Sequence, residues 1–299
     1  MIQSFNEIIS TVQGKKRRRI AVAYAQDMDV LLALKNATEN NLADGILIGD
    51  EAKINQIAEE INLDFSHFKV INETDEVQAT QKAVDVVRNG EAEVIMKGLC
   101  STATFLKAIL KSETGLKSGS MLSHLAIFEV EHYHKLIFMS DAALNIAPTL
   151  DEKVGIIQNA VNACHKLGNE NPKVAMITAV EKVNPAKMPA TSDAAIISKM
   201  AERGQIKHCI IDGPLAVDNA FSKKSCEIKG IRSEVGGDAD IAIVPDIEAG
   251  NVFYKVMSYL AGARTAGLIL GAKVPVVLTS RADSDDTKYL SIATACLLG

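Results

Sequence analysis

Residues 20–34 read Ile-Ala-Val-Ala-Tyr-Ala-Gln-Asp-Met-Asp-Val-Leu-Leu-Ala-Leu. Ile20–Ala25 is a short apolar run of the kind that forms a buried strand. Asp27 can accept backbone N–H groups as a helix cap, and Val30, Leu31 and Leu34 then recur at helical spacing. A buried strand that passes straight into a capped helix is half of a parallel β-α-β unit.

The same phrase repeats outward from it. Gly45–Ile48 is a strand ending at Gly49-Asp50, and Ile54, Ile57, Ala58 and Ile61 mark the helix after it. Phe68–Ile71 is a strand, and Thr74 opens a helix carrying Ala79, Ala83, Val84 and Val87. Val94–Met96 is a strand running into Lys97-Gly98, and Thr102–Leu110 is the helix beyond. Upstream, Phe5, Ile8, Ile9 and Val12 form a helical stripe that Gly14 terminates. In mid-chain the phrase breaks. Leu122–Val130 and Lys135–Met139 read as strands with only Glu131–His134 between them, a hairpin. Afterwards helices at Asp151–Leu167, Asp193–Glu202, Glu248–Leu260 and Ser284–Leu298 alternate with strands at Val174–Ile177, His208–Ile211, Ile241–Val244, Leu268–Leu270 and Val274–Leu278. The fold class is therefore α/β, with parallel sheets flanked by helices. No fixed-period repeat and no Gly/Ser or Pro-rich linker occurs, so a domain boundary is expected in a tight crossover near Asp141–Leu150.

Composition narrows the class of protein. The 299 residues are 47% hydrophobic and 23% charged, ordinary for a globular chain of about two domains. The net charge of −5 argues against a general nucleic-acid binder, though a local basic cleft for a small anion is compatible with it. No apolar run approaches the roughly 18 residues of a membrane span. The opening Met1-Ile-Gln-Ser-Phe-Asn-Glu7 has an acid where an export signal has its apolar core, so a cytoplasmic protein is expected. Five cysteines, scattered and without a Cys-x-x-Cys pair, fit reduced and partly buried thiols.

Two strand-to-helix turns stand out as chemistry. In Val274–Lys288, Thr279, Ser280 and Arg281 lie between a buried strand and a helix beginning near Ser284. Ligands of α/β proteins favour the loops at strand carboxyl ends, helix N-termini suit anions, and Arg281 offers a planar two-pronged donor. The plainer reading makes Asp283, Asp285 and Asp286 helix caps with Arg281 as their ion-pair partner. In Met96–Lys107, Lys97 ends a strand, Ser101, Thr102 and Thr104 offer hydroxyls, and Lys107 lies further along the helix. These could hold the phosphates of a nucleotide-like ligand, or be an ordinary cap with solvated lysines. Cys100 reads as an inert buried thiol, since no histidine is near it in sequence. Asp212–Asp218 and Pro245–Asn251 repeat the strand-to-turn theme, the latter before a helix with Lys255, and turn or cap chemistry explains each. No Gly-x-Gly-x-x-Gly, P-loop lysine or Gly-x-Ser-x-Gly elbow is present. His132-Tyr133-His134 falls in the hairpin turn without a third ligand, and Lys15–Arg19 reads as a solvated helix end.

Taken together, Met96–Leu110, Val174–Gly213 with Pro185-Ala-Lys-Met-Pro189 and Asp193-Ala-Ala195, Asp212–Asp218, Asn251–Lys255 and Val276–Ser284 closely resemble the phosphate acetyl/butyryltransferase family. The resemblance runs essentially end to end and favours the butyryl branch, with the acetyl branch as the alternative. It implies two α/β domains flanking a cleft, like the isocitrate/isopropylmalate dehydrogenase fold, with the last helix returning to the first domain: residues 1–142 plus 279–299, and 143–278. It implies a homodimer or higher oligomer, acyl-CoA and phosphate as substrates, and no permanently bound cofactor or metal. By the same resemblance Ser280 would hydrogen-bond the CoA thiol or the developing oxyanion. Arg281 would bind phosphate, and Asp286 would be the base, with Asp283 and Asp285 as its rivals. Lys97, Ser101, Thr102, Thr104, Lys107, Asn251 and Lys255 would contact substrate. Two other classes compete: a CoA-binding protein without catalysis, and a metal-dependent 2-hydroxy acid dehydrogenase. The dehydrogenase needs clustered metal carboxylates and an arginine-rich substrate motif that the sequence lacks.

Overall fold

The computed structural model describes residues 1–280 and 282–299. In chain order the elements are α1 (Phe5–Gln13), β1 (Arg18–Ala23), α2 (Met28–Glu39), β2 (Ala43–Gly49), α3 (Glu51–Glu60), β3 (Phe68–Asn72), α4 (Glu76–Arg88), β4 (Val94–Lys97) and α5 (Thr102–Ile109). Then come β5 (Ser123–Glu129), β6 (Ile137–Ser140), α6 (Leu150–Lys166), β7 (Lys173–Ile177), α7 (Pro189–Glu202), β8 (Ile210–Leu215), α8 (Val217–Phe221) and α9 (Lys223–Lys229). The chain finishes with β9 (Ile241–Ile243), α10 (Ile247–Tyr259), β10 (Arg264–Leu270), β11 (Val276–Val277) and α11 (Asp285–Leu298). No helix among the described residues is long and apolar enough to cross a membrane.

Two compact units result: an N-terminal unit of Phe5–Ser120 with Ala266–Gly299, and a middle unit of Met1–Ser4 with Met121–Thr265. These bounds differ from the expected 142/143 and 278/279. The hairpin was expected to close the first domain, but β6 pairs in parallel with β9, Phe138 opposite Ile241, which places the hairpin with the strands that follow it.

In the N-terminal unit β3, β2, β1, β4 and β11 pair in parallel in that order, and β10 joins β11 antiparallel, Leu268 opposite Val277. Helix starts follow the sequence. Asp27 accepts from Val30 N at 2.9 Å and Asp50 from Lys53 N at 3.3 Å. The cap of α4 is Asp75 rather than Thr74, because the carboxylate reaches Gln78 N at 2.8 Å. From Lys288 to Leu298, α11 is buried on every face, and it packs against α2 and α1.

The middle unit orders its strands β5-β6-β9-β7-β8, with β5 and β6 antiparallel and the other pairs parallel. Its core includes Phe128, Met139, Leu215, Val244 and Tyr254. Strand β8 runs through Gly213-Pro214, which the sequence had suggested as a turn beyond the strand. An edge strand tolerates the missing N–H of proline. Beside the hairpin lies a partly buried ion cluster: Lys135 Nζ lies 2.7 Å from Asp240 and 3.1 Å from Asp238, and Lys173 Nζ lies 2.6 Å from Asp238. His134 Nε2 also meets Asp238, at 3.0 Å. Among the described residues no cluster of histidine, cysteine and acid could hold a metal ion.

Candidate active site

Parallel pairing sends the carboxyl ends of β1, β4 and β11 to one edge of the N-terminal unit. Ala23 is opposite Lys97 and Met96 opposite Val277, so one residue further on Lys97 comes level with Leu278. The two turns singled out in the sequence, Lys97–Ser101 and Leu278–Ser284, thus leave neighbouring strands, whose separation is about 4.8 Å.

The first turn is built by close backbone approach. Gly98 N donates to Ala23 O at 2.9 Å and Leu99 N to Tyr24 O at 2.8 Å. A Cβ on Gly98 would stand 2.4 Å from Tyr24 O and 2.7 Å from Ala23 O, so only glycine fits. Tyr24 has a left-handed backbone, φ +59°, a rare conformation for a bulky residue. Lys97 is buried at the end of β4, its Nζ donating to Gly98 O at 3.1 Å. Ser101 is the cap of α5. Its hydroxyl accepts from Thr104 N at 3.0 Å and pairs with the Thr104 hydroxyl at 2.9 Å, while Ser101 N donates to Glu76 at 2.8 Å. The Ser101 hydroxyl is therefore engaged in capping, and the Thr104 hydroxyl accepts from it. Thr102 is exposed at the first position of α5, and Lys107 is exposed five residues on, about 7.5 Å along the axis.

The second turn is braced by Asp283. Its carboxylate is buried and accepts from Ser280 N at 2.7 Å, and Asp283 N returns a bond to Ser280 O at 3.2 Å. Ser280 itself is exposed. Arg281 lies outside the described residues. The cap of α11 is Ser284, which accepts from Thr287 N at 3.2 Å, and not one of the three aspartates. Buried Lys288 donates to Asp283 O and lies 3.6 Å from Asp29 in the first turn of α2, tying that turn to the Ser280 loop. Of the rival bases, Asp283 is buried and engaged with the backbone, Asp285 is half-buried and Asp286 is exposed.

The remaining candidates stand elsewhere. Asn251 and Lys255 are exposed on α10 of the middle unit. Asn251 Nδ2 donates to Ala142 O at 3.4 Å, and Lys255 Nζ sits 5.6 Å over the Tyr259 ring. Asp246 caps α10 by accepting from Ala249 N at 2.9 Å, and Asp218 is spent on Lys229 at 2.9 Å. Cys100 is buried, its thiol near Ala23 O, and burial pushes its pKa up, which leaves it a poor nucleophile. All five cysteines are free thiols. Sequence reasoning missed Tyr24, Met28 and the Asp29–Lys288 brace. No sequence signal marks a left-handed tyrosine, and Lys288 looks like any polar helix residue.

This edge offers a buried ammonium group, an exposed serine, an exposed carboxylate and the N-termini of α5 and α11. Those are groups that can hold an anion against an electrophilic carbonyl and move a proton. Residues 4–81 and 73–296 match the phosphate acetyl/butaryl transferase family. A phosphate butyryltransferase of Clostridium acetobutylicum is 50% identical over 298 residues, covering 100% of this chain and 99% of its own. A phosphate acetyltransferase of Thermotoga maritima is 42% identical over 291 residues, covering 97% and 98%. The solved structure of a branched-chain phosphotransacylase from Enterococcus faecalis V583 is 35% identical, with a TM-score of 0.83 over 94% of this chain and 98% of that one.

Proposed function

The chain belongs to the phosphate acetyl/butaryl transferase family, enzymes that move an acyl group between CoA and phosphate, and we propose that the acyl group here is butyryl or a branched chain of four to five carbons. The full-length 50% identity to a phosphate butyryltransferase carries this reading. The 42% identity to a phosphate acetyltransferase keeps acetyl as the second reading.

The reaction makes acyl phosphate and CoA from acyl-CoA and phosphate, and reverses. A phosphate oxygen attacks the thioester carbonyl carbon, the C–S bond breaks, and the departing thiolate takes a proton. In reverse, the CoA thiol gives its proton to a carboxylate, the thiolate attacks the carbonyl carbon of the acyl phosphate, the C–O bond to phosphate breaks, and the departing phosphate takes the proton back. Most of the task is positioning two substrates. Exposed Ser280, at the end of a braced turn, donates to the thiolate or to the oxyanion of the tetrahedral intermediate. Arg281 holds phosphate in a two-pronged contact. Asp286 is the base; its exposure supports this, while the backbone engagement of Asp283 argues for a brace there. Lys97, near the same edge, supplies positive charge. Thr102 and Lys107 contact the phosphates of CoA, and Asn251 and Lys255 are taken as substrate contacts from the family resemblance alone. Ser101 and Thr104 shape the turn. Buried Cys100 argues against a covalent acyl-enzyme, so transfer passes through a ternary complex. CoA and phosphate act as substrates and no resident cofactor is required. A homodimer in the cytoplasm completes the reading, and five free thiols suit that reducing compartment.

The test is release of CoA thiol from butyryl-CoA with and without phosphate, with acyl phosphate trapped by hydroxylamine. Phosphate-dependent thiol release with a matching hydroxamate supports the reading. Release that ignores phosphate, or none at all, refutes it.

A further inference from the structure

Three large, largely apolar residues stand on the segments that leave β1 and β4. Tyr24 follows β1, Met28 opens α2 and Leu99 follows β4. Met28 and Leu99 are each 37% exposed, a large apolar surface to leave beside charged groups. Tyr24 and Leu99 directly follow β1 and β4, so they stand at the carboxyl ends of those strands. There the chain runs from β1 to β2 on one side, while β4 lies on the other, and α/β sheets characteristically bind ligands at such a reversal.

Both side chains are fixed relative to Ser280. Leu99 N is bonded to Tyr24 O at 2.8 Å, and Tyr24 holds that carbonyl in place with a left-handed backbone that the surrounding structure must impose. The strand carrying Leu99 neighbours the one that delivers Ser280. On the other flank, Met28 adjoins Asp29, which Lys288 ties to the Asp283 carbonyl, and Asp283 holds Ser280 N. Two exposed apolar residues thus stand on segments tied to the loop that bears the exposed serine.

We infer that Met28 and Leu99 form the wall on which the acyl chain lies, and so set the enzyme's preference for a four-carbon over a two-carbon group. This rests on the transferase reading above. A flexible thioether opposite a leucine suits straight and branched chains alike, because methionine repacks around either.

The full-length chain is assayed for kcat/KM with acetyl-, butyryl- and isobutyryl-CoA at saturating phosphate. The unmodified enzyme is measured first. Absence of phosphate-dependent turnover refutes the transferase reading, and a maximum at acetyl-CoA refutes both the chain-length reading and the wall. Leu99→Asn and Met28→Gln keep size and add polarity, and each is expected to lower the butyryl-to-acetyl ratio about tenfold. Leu99→Met is expected to keep the ratio within about twofold. A ratio unchanged in both polar variants overturns the inference. So does an equal loss on all three acyl groups, which would mark a purely structural role.

Discussion

Replacing Asp283 separates a brace from a base. Its buried carboxylate accepts from Ser280 N at 2.7 Å, and its carbonyl accepts from buried Lys288. A hydrogen bond to a charged group contributes about 1.5–3 kcal/mol. If Asp283→Ala passes that whole loss into the placement of Ser280, kcat/KM should fall roughly tenfold to 150-fold. Asp283→Asn retains a carbonyl oxygen at the same reach and should recover most of the activity, since a neutral acceptor still holds the Ser280 N–H. A proton acceptor behaves otherwise: asparagine cannot take the thiol proton and would be as inactive as alanine. The assay is phosphate-dependent CoA release, run across pH 6–9 beside Asp286→Asn, where asparagine should not rescue. If Asp283→Asn is as inactive as Asp283→Ala while Asp286→Asn stays near normal, the roles given to these two residues are reversed.

Further outcomes follow from other parts of the molecule. Arg281→Ala should raise the phosphate KM sharply, and Arg281→Lys should recover only part of it because the fork is lost; an unchanged phosphate KM would reject the assignment. Gly98→Ala should cost about 1–3 kcal/mol, since the new methyl meets backbone oxygens at 2.4 and 2.7 Å. A thermal melt should drop by several degrees, and an unaltered Tm would show that the turn can relax. Burial works to raise the Asp238 carboxyl, but hydrogen bonds from Lys173 and Lys135 outweigh it and hold it well below the usual carboxylate range. A depressed folded pKa stabilises above the unfolded value and is lost as pH falls through the folded one, so denaturant stability should decline below about pH 4. Asp238→Asn should flatten that decline, and an equally steep acid limb would place its origin elsewhere.

Much of this was legible in the sequence because local signals sufficed. The strand-cap-helix phrase at Ile20–Leu34 placed β1, Asp27 and α2, and the four residues Glu131–His134 were too few to join β5 and β6 except as a hairpin. Both strand-to-helix turns, after β4 and after β11, were legible for the same reason. What escaped depends on distant pairing. Nothing within residues 122–150 says that β6 will lie beside β9. The helices α8 and α9 are too short and polar to show a periodic stripe. Residue type does not reveal that the Ser101 hydroxyl donates to the Thr104 hydroxyl. Asp283 and Asp286 are indistinguishable in sequence, and only burial and the bond to Ser280 N part them.

The division of the N-terminal unit into Phe5–Ser120 and Ala266–Gly299 has a consequence during synthesis. When Ser120 leaves the ribosome, β4 has β1 on one side and an open edge on the other, because β11 has not been made. The faces of α1 and α2 that will receive α11 are bare as well. At typical elongation rates the stretch Met121–Thr265 takes roughly 7–30 s to translate, ample time for a middle unit to fold first. The unit begun first is thus finished last, and its active edge closes only when Ser280 arrives. A nascent chain stalled before residue 266 would leave the edge of β4 and the faces of α1 and α2 that receive α11 uncovered.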